Sequence, residues 1–190
     1  TPVDRTLYFD FLPIRLPNIG DHAVRLQLFT VPGQVHFNAT RKLVLNGADG
    51  VVFVADSQLS RMDANMESLS NLQENLEEQH IDIESMPLVF QYNKRDIQNI
   101  ASIDEMNRIL NQRGLFSCGT SAVKGQGVYE SLEAIVKKIL KNLRRQEIIR
   151  DEKWEAAEKG DDDIAFYQSG EGMAESIAGT LKEYSESDVT

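Results

Sequence analysis

Cysteine, long apolar runs and an excess of basic residues are scarce or absent in this chain of 190 residues. The single cysteine, Cys118, excludes an internal disulfide and a cysteine-based zinc site. No run of about 18 apolar residues suggests a membrane-spanning helix, and no segment has the pattern of a signal peptide. The net charge of −10 argues against general nucleic-acid binding, which needs a basic face. We therefore expect a cytoplasmic protein with no transmembrane segment and no nucleic-acid partner.

The acidic charge is concentrated in the C-terminal part of the chain. Residues 151–190 hold 12 of the 30 acidic residues but only 3 of the 20 basic ones, so the preceding part is nearly neutral. This shift predicts a main domain over residues 1–145 and an acidic extension over residues 146–190. In the extension, Met173, Ile177, Leu181 and Tyr184 recur at helical spacing. We expect it to be partly helical and to dock on protein, because an acidic face disfavours anionic membranes.

Apolar periodicity in the main domain predicts strands that alternate with helices. Two strands come first and strands then alternate with helices, which predicts an α/β domain with a mostly parallel sheet, an antiparallel edge and flanking helices. The expected strands cover residues 6–12, 24–29, 50–56, 87–92 and 115–118. The expected helices cover residues 37–45, 61–79, 102–113 and 128–142, the last with a continuation to Arg145.

The motif Asn93-Lys94-Arg95-Asp96 follows the fourth expected strand and has the chemistry of a guanine-binding loop. Open α/β sheets bind ligands at the carboxyl ends of their strands, where this motif lies. The Asp96 carboxylate can accept hydrogen bonds from guanine N1–H and the exocyclic amine, whereas adenine lacks this pair of donors. The Lys94 stem can cover the base, and Asn93 can join neighbouring loops. The simpler alternative is a polar turn that closes a strand.

Two other segments have residues suited to a nucleotide's phosphates. Gly33 lets a backbone N–H approach a γ-phosphate closely, and Gln34 after it can position the attacking water. Near the first expected strand, the Thr6 hydroxyl can bind Mg²⁺, and Arg5 can neutralise transition-state charge. The simpler alternatives are an ordinary Pro-Gly turn and a solvated terminal charge.

The segments around the last expected strand complete the pattern. A tight turn at Ser121 and Ala122 can direct a backbone N–H at guanine O6, although serine-rich loops are common. We interpret Gly125-Gln126-Gly127 as structural, and Cys118 as a small buried residue rather than a nucleophile.

Together these motifs resemble the bacterial Ras-like small GTPases of the MglA family, the switches of cell polarity and gliding motility. The resemblance runs from about Arg5 to Leu143. It is carried by RTLYFDFLP at residues 5–13, TVPGQ at residues 30–34, VFVADS at residues 52–57 and NKRD at residues 93–96.

The resemblance implies a Ras-like P-loop NTPase fold and a switch that binds GTP or GDP with Mg²⁺ and hydrolyses GTP slowly without an activating protein. By this resemblance Gln34 is the catalytic glutamine, Arg5 an intrinsic arginine finger, and Thr6 the threonine that holds the metal. The implied nucleotide-binding residues are Thr6, Gly33, Asn93, Lys94, Asp96, Ser121 and Ala122. The implied partners are a roadblock-type, MglB-like GTPase-activating protein and polarity or motility effectors, with recruitment to the cell poles.

The sequence departs from the common Ras-like pattern in two ways. Thr30 replaces the aspartate that helps to hold Mg²⁺ in most Ras-like proteins, a replacement that the MglA family shares. The phosphate-binding pattern G-x-x-x-x-G-K-[ST] does not occur in these residues. We expect a longer protein with that loop and a central strand upstream of Thr1. The alternative is a nucleotide-free or non-hydrolysing relative that serves as an interaction scaffold.

Overall fold

The computed structural model describes residues 10–16, 24–33 and 37–145, and the chain divides into two compact units. One unit includes Val31–Asn142 and the other includes Phe9–Thr30. The strands are β1 (Asp10–Arg15), β2 (Arg25–Thr30), β3 (Val51–Asp56), β4 (Leu88–Asn93) and β5 (Ser117–Gly119). The helices are α1 (Asn38–Leu45), α2 (Met62–Glu78), α3 (Ile103–Leu110) and α4 (Val128–Arg145), with short 3-10 turns at Leu59–Arg61 and Ala122–Lys124. This is the expected α/β class.

Strands β1 and β2 form an antiparallel hairpin with its own two-stranded sheet, whereas the sequence suggested one mixed sheet. The first strand also continues through Pro13 to Arg15, although we expected it to end at Leu12. Pro13 lies opposite Gln27. A proline is tolerated here because each strand of a two-stranded sheet pairs on one side only, so a missing N–H can face away from the ladder.

The second sheet is parallel and has the strand order β3-β4-β5. In its register Asp56 lies opposite Asn93, and Tyr92 lies opposite Gly119. The carboxyl ends of all three strands therefore meet at one edge of the sheet. This edge carries the loops in which the sequence predicts base recognition.

The central strand β4 is buried on both faces, as its apolar sequence predicted. Its alternating residues Leu88, Phe90 and Tyr92 join a core with buried side chains of α2 and α3. On the opposite face, Gln91 accepts a hydrogen bond from the Ser131 hydroxyl of α4 at 2.8 Å. Helices on both faces of a parallel sheet make a three-layer α/β arrangement.

Helical spacing predicts an apolar face on α2, but the helix buries a partly different set of residues. The predicted face consists of Met66, Leu69, Leu72 and Leu76. Leu72 and Leu76 are buried as expected, but Met66 is 42% exposed. Asn65 and Asn75 are buried instead. The Asn65 amide accepts a hydrogen bond from the N–H of Asp56 and donates one to its carbonyl, at 3.1 and 2.8 Å. Because its side-chain amide bonds the backbone of β3, an asparagine is accommodated on the buried face of α2.

The ends of α3 and the start of β5 follow local capping chemistry. Serine at the first position of the expected helix predicts an N-cap, which is confirmed, since the Ser102 hydroxyl accepts the N–H of Glu105 at 3.1 Å. The helix ends at Leu110 rather than at the predicted Arg113. The Asn111 side chain exchanges two hydrogen bonds with the Leu115 backbone, so residues 111–115 form a tight turn. Strand β5 consequently begins at Ser117 instead of residue 115.

Within the described residues, no helix combines the length and apolarity that crossing a bilayer requires. The predicted extension over residues 146–190, with its Met173–Tyr184 periodicity, lies outside the described part of the chain.

Candidate functional site

Three loops leave the carboxyl edge of the parallel sheet and are bonded to one another. They are the β3 loop (residues 57–61), the β4 loop (residues 94–101) and the β5 loop (residues 120–127). The backbone N–H of Ser57 donates to Asn93 O at 3.0 Å, and the N–H of Arg95 donates to Thr120 O at 2.9 Å. The edge is therefore a continuous bonded surface, and ligands of open α/β sheets bind at such edges.

Asn93 joins β4 to the β5 loop, as its sequence position suggested. Its side-chain oxygen accepts hydrogen bonds from the Ala122 N–H at 3.0 Å and from the Thr120 hydroxyl at 3.3 Å. One amide oxygen thus fixes the start of the β5 loop relative to the NKRD motif.

Asp96 is exposed, but its carboxylate is held in place by a buried hydroxyl. Ser121, which is 1% exposed, donates to Asp96 Oδ1 at 2.7 Å. Ser121 is itself fixed by a two-way backbone pairing with Gln126. The Ser121 hydrogen bond is the main cause that lowers the pKa of Asp96, with a backbone N–H and the charges of Lys124 and Lys94 adding to it. Asp96 is consequently an ionised acceptor at neutral pH, which is the state that guanine recognition requires.

Lys94 has a partner that the sequence did not predict, Asp56. Its ammonium donates to Asp56 Oδ2 at 2.8 Å, and its backbone has a positive φ of 67°. Asp56 ends β3 directly opposite Asn93 in the register. Parallel pairing of the two expected strands would place Asp56 beside the NKRD motif. Which side chains then meet depends on the conformation of the β4 loop, which apolar periodicity does not predict.

The β5 loop requires glycine at one position, which confirms the structural interpretation of the Gly-Gln-Gly segment. Gly127 has a positive φ of 72°, and a Cβ there would lie 2.5 Å from the carbonyl oxygen of Gly119. Any side chain would push the β5 loop away from the end of β5.

Cys118 behaves as a packing residue. Its thiol is half-buried, and it contacts the Gly127 carbonyl oxygen with Sγ at 3.6 Å. Burial, with a contribution from Glu130, raises the pKa of Cys118 and so disfavours the nucleophilic thiolate. This agrees with the sequence interpretation.

At the predicted phosphate end, the described residues include Gly33 but not Arg5, Thr6 or Gln34. Among the described residues, a Cβ on Gly33 would meet nothing within 4 Å. The preceding residue, Pro32, is buried, and its carbonyl oxygen accepts a hydrogen bond from Arg41 Nη1 at 2.9 Å. The phosphate-binding roles of Gly33, Gln34, Arg5 and Thr6 therefore stay predictions.

The described residues contain no group of three His, Cys, Asp or Glu side chains that could hold a metal ion alone. In the hairpin, the Thr30 hydroxyl donates to Asp10 Oδ2 at 3.0 Å. Mg²⁺ in nucleotide sites needs only one or two protein oxygens, because phosphates and water supply the others. A hydroxyl oxygen suits such an ion, and the ligand that the sequence predicts, Thr6, lies outside the described residues.

Comparison with known proteins identifies one matching family and several similar proteins. The model of the ADP-ribosylation factor family matches residues 14–139. The chain is 51% identical over 145 residues to the mutual gliding-motility protein MglA of Myxococcus xanthus (strain DK1622), covering 76% of this chain and 74% of that protein.

More distant relatives include two eukaryotic proteins. Human ADP-ribosylation factor-like protein 4D is 27% identical over 146 residues, which cover 72% of this chain and 69% of that protein. The Ras-related protein RABA5b of Arabidopsis thaliana is 28% identical over 134 residues, which cover 70% of this chain and 59% of that protein. The family match covers most of the described part of the chain, and the fold and the NKRD loop are those expected of a guanine-nucleotide switch. The chain therefore belongs to the ADP-ribosylation factor family of Ras-superfamily small GTPases, and within that superfamily it is an MglA-like protein.

Proposed function

We propose that this protein is a GTP-hydrolysing switch whose guanine specificity comes from Asp96 and whose hydrolysis depends on Gln34 and Arg5. The observation that carries the proposal is the Asp96 carboxylate, ionised and fixed by Ser121 at the carboxyl edge of the parallel sheet. A fixed acceptor of this kind rejects bases that lack the matching donors. A bound base displaces water from the Asp96 carboxylate, and without those donors its oxygens would then be left unpaired.

The other residues of the β4 and β5 loops divide the work of base binding. The Lys94 stem covers one face of the base, while the Asn93 side chain keeps the β5 loop in position beside the NKRD motif. Ser121 acts through Asp96, because its hydroxyl is buried and already donates to that carboxylate. The N–H of Ala122 donates to Asn93 in this structure, so its contact with guanine O6 shares or replaces that bond.

The phosphate end supplies the chemistry of hydrolysis. Gly33 approaches the γ-phosphate through its N–H, Gln34 positions the attacking water, and Arg5 neutralises charge as the terminal phosphoryl group transfers. Thr6 holds Mg²⁺, which neutralises phosphate charge when bound. These roles follow from the resemblance to the MglA family, which is supported by the 51% identity to an MglA protein.

The physiological role that we propose is control of cell polarity or motility. It is supported by the 51% identity to a protein named for mutual gliding motility. A roadblock-type, MglB-like GTPase-activating protein would accelerate hydrolysis, and effectors would bind the GTP state. We place the protein in the cytoplasm with recruitment to the cell poles, and we propose that residues 146–190 form a separate acidic extension that docks on protein.

Single-turnover hydrolysis by the full-length protein tests this proposal. Gln34→Leu and Arg5→Ala should each slow hydrolysis by about 100-fold or more while the affinity for GDP stays within about threefold, since both residues act on the transition state. Exposed Gln73→Leu and Arg108→Ala are matched controls that should hydrolyse GTP at the wild-type rate.

Two results would contradict the proposal. Wild-type hydrolysis rates in the Gln34 and Arg5 variants would remove both residues from the mechanism. A wild-type protein that binds neither GDP nor GTP would favour the interaction-scaffold alternative.

A further inference from the structure

Asp56, at the carboxyl edge of the sheet, is held by several hydrogen bonds. Its Oδ1 accepts the N–H of Gln58 at 3.0 Å, and the Asn65 amide bonds both the N–H and the carbonyl of its backbone. The side chain is only 19% exposed. Main chain and carboxylate are therefore fixed independently, one by α2 and the other by the β3 loop.

The partner of this carboxylate is a long and otherwise adaptable side chain. Lys94 is 49% exposed and has four rotatable bonds, whose free motion opposes any single placement of its stem. Its positive φ sets the direction in which the stem leaves the β4 loop. The 2.8 Å bond to Asp56 then fixes the far end as well. Because the Lys94 side chain is fixed at its backbone and at its ammonium, its stem follows a defined path across the carboxyl edge of the sheet.

From this geometry we infer that Asp56 is a positioning residue of the nucleotide site, which holds the Lys94 ammonium so that the lysine stem is preset against the guanine base. The inference rests on the proposed function. It gives Asp56, at the end of β3, a role in the affinity for nucleotide, whereas Asp96 determines which base is bound. A side chain that is already in place loses less conformational entropy when the ligand binds. Loss of the Asp56–Lys94 bond should therefore appear mainly as faster release of nucleotide.

The charge arrangement distinguishes Lys94 from the other cation near Asp56. Arg61 Nε lies 4.0 Å from Asp56 Oδ2, and the Arg61 side chain is 54% exposed. A contact of that length to an exposed arginine contributes little. Removal of the arginine charge should therefore leave the Asp56–Lys94 pair, and the nucleotide site, nearly unchanged.

Release of a fluorescent GDP analogue from the full-length protein provides the test. Asp56→Asn keeps the side-chain shape and should release the analogue about 10-fold faster, a change typical of losing one charge-assisted hydrogen bond. Arg61→Gln should change release by less than about twofold. Glu84→Gln is the matched control, because it breaks the Arg113–Glu84 ion pair of 3.1 Å outside the three loops and should release at the wild-type rate.

A double-mutant cycle separates positioning from a general structural effect. Lys94→Met keeps an apolar stem but has no ammonium, so Asp56→Asn added to Lys94→Met should cause no further acceleration. Fully additive effects would overturn the inference, since Asp56 would then act independently of Lys94. Slower release from Asp56→Asn would also overturn it, because Asp56 would then be drawing Lys94 away from the base. If the wild-type protein binds no guanine nucleotide, the proposed function itself is wrong, which is a distinguishable outcome.

Discussion

The β5 loop and the segment at residues 31–33 are held in different ways. In the β5 loop, Ser121 is paired with Gln126 and bonded to Asp96, and Gly127 packs against the backbone of Gly119. At residues 31–33, Arg41 bonds the carbonyl of Pro32, and no described atom would lie within 4 Å of a Cβ on Gly33. The base-recognition end is thus closely packed and bonded, whereas no described atom crowds Gly33 at the proposed phosphate end.

This difference has a functional meaning for a switch. Recognition of the base must be the same in the GTP and GDP states, so a rigid acceptor is an advantage there. The γ-phosphate is present in one state and absent in the other, so the group that senses it needs space to approach. The two glycines at positions 33 and 127 have opposite structural roles for this reason.

The largest expected effect is therefore the contrast between two alanine substitutions. Gly127→Ala should lower the free energy of unfolding by about 2–4 kcal/mol, because it combines a positive φ with a clash against backbone. Gly33→Ala, whose added methyl group would meet no described atom within 4 Å, should change it by less than about 0.5 kcal/mol. Urea unfolding of both variants in the same nucleotide state measures the contrast. Equal losses would mean that the two segments are held alike.

A smaller effect is expected from the hydroxyl that orients the base acceptor. Ser121→Ala should weaken GDP binding by about threefold to tenfold, because Asp96 loses its main hydrogen-bond donor. The pKa of Asp96 is held low by that bond, so wild-type binding persists as the pH falls, until the carboxylate protonates. In the variant the pKa rises toward its ordinary value, and binding should fail at a higher pH.

Carbon-13 NMR titration of the Asp96 carboxyl, run beside GDP binding, checks both parts of this prediction. Ser70→Ala, at an exposed position on α2, is the control. An unchanged Asp96 titration in Ser121→Ala would show that the hydroxyl does not stabilise the carboxylate.

The sequence predicted those parts of the protein that depend on local pattern. The order of strands and helices followed from apolar periodicity, and the Ser102 cap followed from residue type. The NKRD motif lies after β4 because an apolar run of that length predicts a buried strand.

The features that the sequence did not predict are set by tertiary partners. Asn65 lies on the buried face of α2, where apolar periodicity favoured Met66, because the backbone of Asp56 supplies both of its hydrogen bonds. The Asp56–Lys94 pair joins residues 38 positions apart, and only the parallel register brings them together. Hydrophobic patterns contain no information on which buried polar groups will find such partners.

Asp96→Asn tests the central claim, that the carboxylate at the end of the parallel sheet selects the guanine base. An amide in that place can donate to the C2 oxygen of xanthine but repels the exocyclic amine of guanine. Competition between GDP and xanthosine diphosphate on the full-length protein should therefore show a loss of GDP affinity of about 100-fold or more and a reversed preference for the xanthine nucleotide. Asp104→Asn, at an exposed position on α3, should keep the wild-type preference. If Asp96→Asn still binds GDP in preference to the xanthine nucleotide, Asp96 does not select the base.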